Sequence, residues 1–156
     1  RPLTMHAYAS IVRGVKLQPL ECYCASLRQA ARAVTVLYEE ALAGSGLHAT
    51  QYTALQVLAR APDHPITEIA QAIGIDQTTA TRTLALVKKA GFAKDSVGDD
   101  RRERRWALTT KGQAKLRALA PRWDAAQRAF EERVGRSEAA ALRRAAHVAA
   151  SKLGSS

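Results

Sequence analysis

Cysteine is scarce in this chain, because only two of its 156 residues are cysteines, Cys22 and Cys24. The two lie so close together on one predicted helix that they cannot form the disulfide framework of a small secreted protein. A chain without such a framework is typical of a reducing compartment, and we expect a cytoplasmic protein.

The residue patterns of metal sites and of common catalytic sites are also missing. The four histidines are scattered, with no His-x-x-x-His pair, and there is no Cys-x-x-Cys pair. The sequence has no Gly-x-Ser-x-Gly turn for a nucleophilic serine and no glycine-rich loop to hold a phosphate. We therefore expect no metal, no cofactor and no enzymatic activity.

Long apolar runs are absent as well. No uninterrupted run reaches the roughly 18 residues that a membrane-spanning helix needs, and the first residues show no secretory signal pattern. With 47% hydrophobic and 24% charged residues, the composition is that of a globular domain. We expect no membrane partner.

Acidic residues are outnumbered by basic ones. Fourteen Asp and Glu side chains face 24 Lys and Arg side chains, which gives a formal net charge of +10. Such an excess favours a polyanionic partner. Charge alone does not distinguish DNA from RNA, a membrane surface or general solubility.

The amino-terminal part of the chain predicts an extension followed by a long helix. Residues 1–17 show no clean period and form the extension. From Leu20 to Ala41 the apolar side chains recur in alternating steps of four and three residues, and Gly44 ends the pattern.

The carboxyl-terminal part predicts two further helices. The first is capped by Thr109 or Thr110 and runs to about Val134, and the second runs from about Glu138 to Leu153. Each carries an apolar stripe, and little of the chain is left for these stripes to pack on. A symmetric partner is the natural cover for such surfaces. We therefore assign residues 18–47 and 110–156 to the dimerisation helices of a homodimer.

The central residues 48–109 predict a winged helix-turn-helix, so the expected fold class is mainly α with a small β-hairpin wing. Short helices joined by Gly74-Ile75-Asp76 match the helix-turn-helix pattern, and a period of two then replaces the helical period. The predicted elements are a helix over 51–60 capped by Thr50, a helix over 68–73 capped by Thr67, a helix capped by Asp76 that runs to Lys89, and strands over 92–97 and 104–108.

The helix after Asp76 begins with polar side chains suited to DNA bases. In a helix-turn-helix these positions face base edges in the major groove, where glutamine pairs with adenine and arginine with guanine. A threonine can offer its methyl group to thymine or its hydroxyl to a phosphate. The alternative is that a threonine-rich start only caps the helix. The candidate contacts are Gln77, Thr78, Thr79, Thr81 and Arg82.

The predicted hairpin tip is strongly basic, with four arginines within residues 101–105. A guanidinium there can enter an A·T-rich minor groove, where the potential is most negative, while a neighbouring carboxylate restrains it. A solvated charged loop is the alternative, but it does not explain why the basic cluster directly follows a helix-turn-helix. The candidate contacts are Asp100, Arg101, Arg102 and Arg104.

These motifs resemble the MarR family of transcriptional regulators over nearly all of residues 20–153. The resemblance implies a triangular homodimer on a palindromic operator of double-stranded DNA, with Asp100 and Arg102 as the wing pair and Arg102 in the minor groove. It also implies a cleft in which small aromatic or phenolic ligands, or oxidants, loosen DNA binding. The runs that carry it are Leu20 to Leu42, Leu47 with Gln51-Tyr52, Ile69 to Ile75, and Asp100-Arg101-Arg102 with Leu108-Thr109-Thr110-Lys111-Gly112.

The resemblance implies two kinds of effector site, one that binds an aromatic ligand and one that reacts with an oxidant. An arginine and a tyrosine beside apolar walls suit an aromatic carboxylate, and the candidate lining is Arg28, Tyr38, His48 and Tyr52. Alternatively, the two tyrosines only anchor helices. Trp106 and Trp123 are expected in the core rather than in a ligand site.

Cys24 is the candidate for redox sensing, because it resembles the reactive cysteine of the organic-hydroperoxide-sensing branch of the family. Arg28 and Ala49 stand where that branch has further tyrosines, which is a departure from its pattern. An arginine one turn from a cysteine can nevertheless favour the thiolate. The alternative is that Cys24 is a small buried apolar residue.

The sequence therefore predicts a MarR-type repressor that binds a palindromic operator as a homodimer and is released by a small aromatic ligand. A thiol-based oxidant sensor of the same fold, using Cys24, is the second interpretation. The third belongs to another class: a winged-helix adaptor that binds proteins and has no specific affinity for DNA.

Overall fold

The computed structural model describes residues 21–60, 62–98 and 103–154. The predicted extension, and Asp100, Arg101 and Arg102 among the predicted DNA contacts, therefore lie outside the described residues. The chain divides into two units, Arg1–Val36 and Leu37–Ser156, and each is described by itself.

The described residues are mainly helical, as predicted, with one small antiparallel sheet. In chain order the elements are α1 (Tyr23–Leu42), α2 (Ala49–Arg60), β1 (His64–Pro65), α3 (Ile66–Ile73), α4 (Gln77–Lys89), β2 (Ala93–Val97), β3 (Arg104–Leu108), α5 (Thr110–Val134) and α6 (Arg136–Leu153). None of the described helices is long and apolar enough to cross a membrane.

The starts of α2 and α3 differ from the prediction. Helix α2 begins at Ala49, so Thr50 lies inside it and is not its cap. The Ala49 amide instead donates to a carboxylate oxygen of Glu39 at 2.8 Å, a partner far away in sequence. Helix α3 begins at Ile66, directly after Pro65, so Thr67 also lies inside a helix rather than capping it.

Helix α4 begins and ends as the sequence predicts. The Asp76 side chain accepts from the Thr79 amide at 2.9 Å, which satisfies one of the free N–H groups of the first turn. Gly74 has a left-handed backbone with φ of 79°, which allows α3 to end there and the chain to turn into α4.

The sheet has the order β1-β3-β2, with β3 in the middle. Strands β2 and β3 form the predicted hairpin, in which Asp95 lies opposite Trp106 and Val97 opposite Arg104. Strand β1 is an addition, since the sequence analysis predicted no strand between the helices over 51–60 and 68–73. His64 pairs with Trp106, and the Asp63 amide donates to the Trp106 carbonyl at 2.9 Å.

The core of the second unit joins α2, α3, α4 and the sheet. Leu55, Leu84 and Val87 are completely buried, and Trp106 lies in the same cluster, as predicted. Trp123 is half-buried and packs against this cluster. The face of α4 that carries Ala80, Thr83, Leu84 and Val87 is therefore inside, and the opposite face remains exposed.

The start of α5 is seated tightly against the chain that enters the hairpin. Thr109 caps the helix by accepting from the Gly112 amide at 3.0 Å, and its own amide donates to the Phe92 carbonyl. A Cβ on Gly112 would lie 1.9 Å from that same carbonyl oxygen. The Thr-x-x-Gly spacing thus combines a cap with a residue that leaves room for Phe92.

Candidate nucleic-acid interface

The first two turns of α4 present a polar, exposed face. Asp76 anchors the start of the helix, and its carboxylate accepts from both the amide and the hydroxyl of Thr79, the latter at 2.6 Å. These hydrogen bonds hold the pKa of Asp76 below its ordinary value. All five of the predicted base contacts on this helix are exposed: Gln77, Thr78, Thr79, Thr81 and Arg82.

The five side chains differ in how much of their hydrogen-bonding capacity is free. Thr79 donates its hydroxyl to Asp76, and Thr81 donates its hydroxyl to the Gln77 carbonyl at 2.8 Å. Within the described parts of the chain, the side chains of Gln77, Thr78 and Arg82 make no hydrogen bond or ion pair. These three side chains can therefore bind an external partner without breaking an internal contact.

The two arginines that begin β3 have different surroundings. Arg104 is exposed, and its Nη1 donates to Asp95 at 2.8 Å. Arg105 folds back against the protein: its Nη1 donates to the Asp63 carbonyl at 2.8 Å and its Nη2 pairs with Glu103 at 2.9 Å. Neighbouring residues of a strand point to opposite faces, which accounts for the difference. Only Arg104 of the pair is presented outward.

Asp95 is a site residue that the sequence analysis missed. It lies in the middle of β2, where its side chain is only 9% exposed, and it contacts both Lys88 of α4 and Arg104 of β3. The hydrogen bond from Lys88, together with the charges of Lys88 and Arg104, holds the pKa of Asp95 below its ordinary value although burial opposes this. The available signal was an aspartate inside a strand, a position that aspartate disfavours without a partner.

Three of the predicted ligand contacts lie in the second unit. Tyr38 and Tyr52 both stack on Trp123, with ring centroids 4.3 and 4.6 Å from it. The Tyr38 hydroxyl donates to the Gln127 side chain, and the completely buried Tyr52 donates to the Leu116 carbonyl at 3.3 Å. His48 is exposed and pairs with Glu39 at 3.0 Å.

Burial raises the pKa of both tyrosines. The charge of Glu131 adds to the increase in the pKa of Tyr38, and the charge of Asp124 adds to that of Tyr52. Both hydroxyls therefore stay protonated well into the alkaline range, and both act as hydrogen-bond donors to the protein.

Arg28 and Cys24 lie together in the first unit. Arg28 Nη2 donates to Cys24 Sγ at 3.3 Å, across one turn of α1. Cys22 and Cys24 are both exposed and both free thiols. Cys24 is thus not a buried apolar residue in this chain.

A half-open cleft of about 330 Å³ lies elsewhere in the second unit. None of the four predicted ligand contacts lines it. Its walls are Leu58, Ala59, Pro62, Ala107, Leu108, Gln113, Leu116 and Arg117. Over residues 21–60, 62–98 and 103–154, no group of three or more His, Cys, Asp or Glu side chains is arranged to hold a metal ion.

These features define a winged-helix protein with an exposed polar helix beside a basic hairpin. The family model of the MarR family matches residues 45–103, which include α2, α3, α4 and the start of the hairpin. No curated protein matches the chain.

Solved structures extend this similarity to most of the chain. The M. tuberculosis transcriptional regulator MosR in complex with DNA is 35% identical with a TM-score of 0.68, over 82% of this chain and 98% of MosR. The repressor CouR bound to a 23-mer DNA duplex is 25% identical with a TM-score of 0.73, over 83% of this chain and 93% of CouR. CouR from Rhodococcus jostii RHA1 bound to p-coumaroyl-CoA is 18% identical with a TM-score of 0.71, over 83% and 92%, and shows the shared fold.

The chain belongs to the MarR family, and it is a DNA-binding transcriptional regulator.

Proposed function

We propose that the protein is a repressor that binds a pseudo-palindromic operator as a homodimer and is released by a small aromatic ligand. Residues 48–109 are the DNA-binding part, and residues 18–47 and 110–156 are the dimerisation helices. One observation carries the proposal: the exposed start of α4 presents Gln77, Thr78 and Arg82, whose side chains make no hydrogen bond or ion pair to any other described residue.

The chemistry of these side chains suits base edges in the major groove. Arg82 can donate two hydrogen bonds to guanine, and Gln77 can exchange two with adenine. Thr79 and Thr81 have used their hydroxyl protons inside the helix, so they would offer methyl groups and oxygen lone pairs. The complexes of MosR and CouR with DNA support this use of the fold.

The hairpin supplies the second set of contacts. Arg104 is presented outward at its base, next to the predicted tip. Asp100, Arg101 and Arg102 remain contacts inferred from the sequence motif, with Arg102 in the minor groove. We expect Arg102→Ala to weaken operator binding by more than about 1 kcal/mol at fixed salt.

The homodimer is supported by the apolar surface of α6. Leu142, Val148 and Leu153 are all exposed, the last by 78%, and Ala139 is the one residue of this described helix that is buried. It is favourable to bury such apolar side chains against the same helix of a second copy of the chain.

Arg82 provides the test of DNA reading. Duplexes selected from a random pool by the wild-type protein define the operator. Arg82→Ala should bind this operator at least about thirtyfold more weakly and lose its preference at one base pair of each half-site, because a bidentate arginine–guanine contact is worth about 1–3 kcal/mol and the homodimer makes two. Anisotropy titrations at fixed salt measure the affinity.

The matched control is Arg82→Lys, which keeps the charge and loses the planar pair of donors. It should retain the salt dependence of binding and still lose the base preference. A protein that selects no duplex, or an Arg82→Ala variant that selects the same duplex with the same affinity, would favour the protein-binding adaptor instead.

For the effector we propose a small aromatic acid, with Tyr38, His48 and Tyr52 as its contacts in the second unit. The fold-level similarity to CouR bound to p-coumaroyl-CoA supports an aromatic ligand. Titration of the protein–operator complex with phenolic acids should release the DNA, and Tyr38→Phe should shift the midpoint. Unchanged binding at saturating acid would reject this class of ligand.

A second candidate mechanism is release by oxidation of Cys24. The specific observation is the hydrogen bond from Arg28 to the sulfur of Cys24, whose thiol is exposed and free. Peroxide should then release the operator from the wild-type protein and from Cys22→Ser, but not from Cys24→Ser. Equal release from all three proteins would exclude Cys24 as the sensor.

A further inference from the structure

The side chain of Asp95 connects two elements of the candidate nucleic-acid interface. One of its carboxylate oxygens contacts Lys88 Nζ, and the other accepts from Arg104 Nη1 at 2.8 Å. Lys88 lies in the last turn of α4, and Arg104 is the first residue of β3. The carboxylate therefore joins the end of the helix to the base of the hairpin.

The burial of the three groups is unequal. The Asp95 side chain is 9% exposed, whereas Lys88 and Arg104 are 51% and 61% exposed. The Asp95 carboxylate is thus largely buried, whereas the Lys88 and Arg104 side chains lie on its solvent side. Lys88 and Arg104 contact the two oxygens of the same carboxylate. Their nitrogen atoms are therefore held close together.

The charges of the cluster do not cancel. Two cations and one anion leave a single positive charge on the outer side. A long flexible side chain loses rotamer entropy when it binds, and a cation that is already held loses less of it. Such a pair is suited to one phosphate group, whose oxygens accept charge-assisted hydrogen bonds from both cations.

We propose that Asp95 is a positioning residue for DNA binding: it holds Lys88 and Arg104 together so that one backbone phosphate binds both. By the same contacts it fixes α4 against the hairpin, and hence the major-groove contacts against those of the wing. This inference rests on the proposed function, since it requires an operator.

Simple electrostatics predicts the opposite effect of neutralising Asp95 on DNA binding. The two explanations can therefore be separated by experiment. A carboxylate near the DNA backbone repels phosphates, so its neutralisation should strengthen binding to any duplex. A positioning role requires instead that loss of the carboxylate weakens binding to the operator. The ratio of operator affinity to scrambled-duplex affinity separates the two effects.

The experiment compares Asp95→Asn with the wild-type protein on the selected operator and on a scrambled duplex. We expect operator affinity to fall about tenfold, the scale of a lost charged hydrogen bond, while scrambled-duplex affinity stays equal or rises. Glu132→Gln, an exposed residue of α5, makes the same change in net charge and should leave the affinity ratio unchanged. If Asp95→Asn binds both duplexes as Glu132→Gln does, the positioning role is wrong.

A second measurement does not depend on the folding of Asp95→Asn. Each bound phosphate adds about 0.9 to the slope of log affinity against log salt. Because Lys88 and Arg104 share one phosphate in each protomer, the double variant Lys88→Gln/Arg104→Gln should lower the slope by about 1.8 for the proposed homodimer. A fall of about 3.6 would show two independent phosphates in each protomer and overturn the inference. If the wild-type protein selects no duplex, the proposed function itself fails, which is a different result from either of these.

Discussion

Asp76 shows how much a single side chain contributes at the start of α4. Its carboxylate accepts from both the amide and the hydroxyl of Thr79, so it fixes the first turn, where Gln77 and Thr78 are presented. The same side chain thus sets helix geometry and the orientation of the candidate base contacts. A negative charge at this end also interacts favourably with the helix dipole.

The lowered pKa of Asp76 predicts a pH-dependent contribution to stability. Because the folded pKa lies below the ordinary value of 3.8, the stabilisation is present above that value and is lost as the pH falls through the folded pKa. The thermal unfolding midpoints of wild type and Asp76→Ala should therefore differ at neutral pH and converge in acid.

Asp76→Asn is the control for this prediction. Asparagine keeps the capping oxygen but does not titrate, so this variant should retain most of the neutral-pH stability. Its difference from Asp76→Ala should stay constant as the pH falls. Convergence of Asp76→Asn with Asp76→Ala at the same acidic pH would contradict the assignment to the Asp76 carboxylate.

Capping residues also show which site features are readable from sequence. Asp76 was predicted as a cap and is confirmed, and of the two predicted candidates Thr109 and Thr110 the structure has Thr109 as the cap. Both caps are readable because each accepting side chain lies three residues before its donor. The cap of Ala49 was missed, since Glu39 belongs to another helix. The Asp95 contacts escaped prediction for the same reason: Lys88 and Arg104 are brought to it by the tertiary fold.

At the scale of elements, the junction between α5 and the hairpin requires a glycine because a larger side chain would not fit. The backbone conformation at this position does not require one. Gly112 lies in the first turn of α5 and faces the Phe92 carbonyl. We expect Gly112→Ala to destabilise the protein by about 3 kcal/mol, because the added methyl group forces α5 away from the strand. Chemical denaturation measures this change.

Gly98→Ala is the matched control. The new Cβ there would approach only the flexible Arg105 side chain, at 3.0 Å, and this side chain can move. A stability loss well below that of Gly112→Ala is expected. Equal losses would mean that the close approach to Phe92 is not the cause.

Most elements could be predicted from the sequence, whereas β1 could not. Helical periodicity, glycines and the change to a period of two located α4, β2, β3 and α5 to within about a residue. His64–Pro65 is too short to show a period of its own, and it is a strand only because β3 lies beside it. Its existence depends on tertiary pairing that no local pattern encodes.

At the scale of the whole molecule, α6 carries apolar side chains that the single chain leaves exposed. We expect Val148→Glu to shift the protein from dimer to monomer, because a charge cannot be buried in the proposed interface without a partner. Operator binding should weaken in parallel, since one half-site then binds alone. Analytical ultracentrifugation and anisotropy titration measure the two effects.

Val148→Leu is the control, because it keeps the side chain apolar while changing its shape. It should remain dimeric and bind the operator as the wild-type protein does. A Val148→Glu variant that stays dimeric would move the interface away from this part of α6.

The sequence predicted family membership through a few locally encoded motifs, among them the cap and glycine of Thr109 and Gly112. Effector chemistry could not be predicted in the same way. Whether Tyr38 and Tyr52 are free or engaged depends on Trp123, Gln127 and Leu116, all from the distant α5. Burial of this kind emerges only when the elements are assembled.

The side chain of Arg105, which folds back against the protein, stiffens the hairpin. Its side chain connects β3 to the turn that follows α2 by donating a hydrogen bond to the Asp63 carbonyl. A force on β3 is consequently shared between that turn and the hydrogen bonds to β2. Loss of the Arg105 contact would therefore loosen the described part of the hairpin while leaving the exposed Arg104 in place.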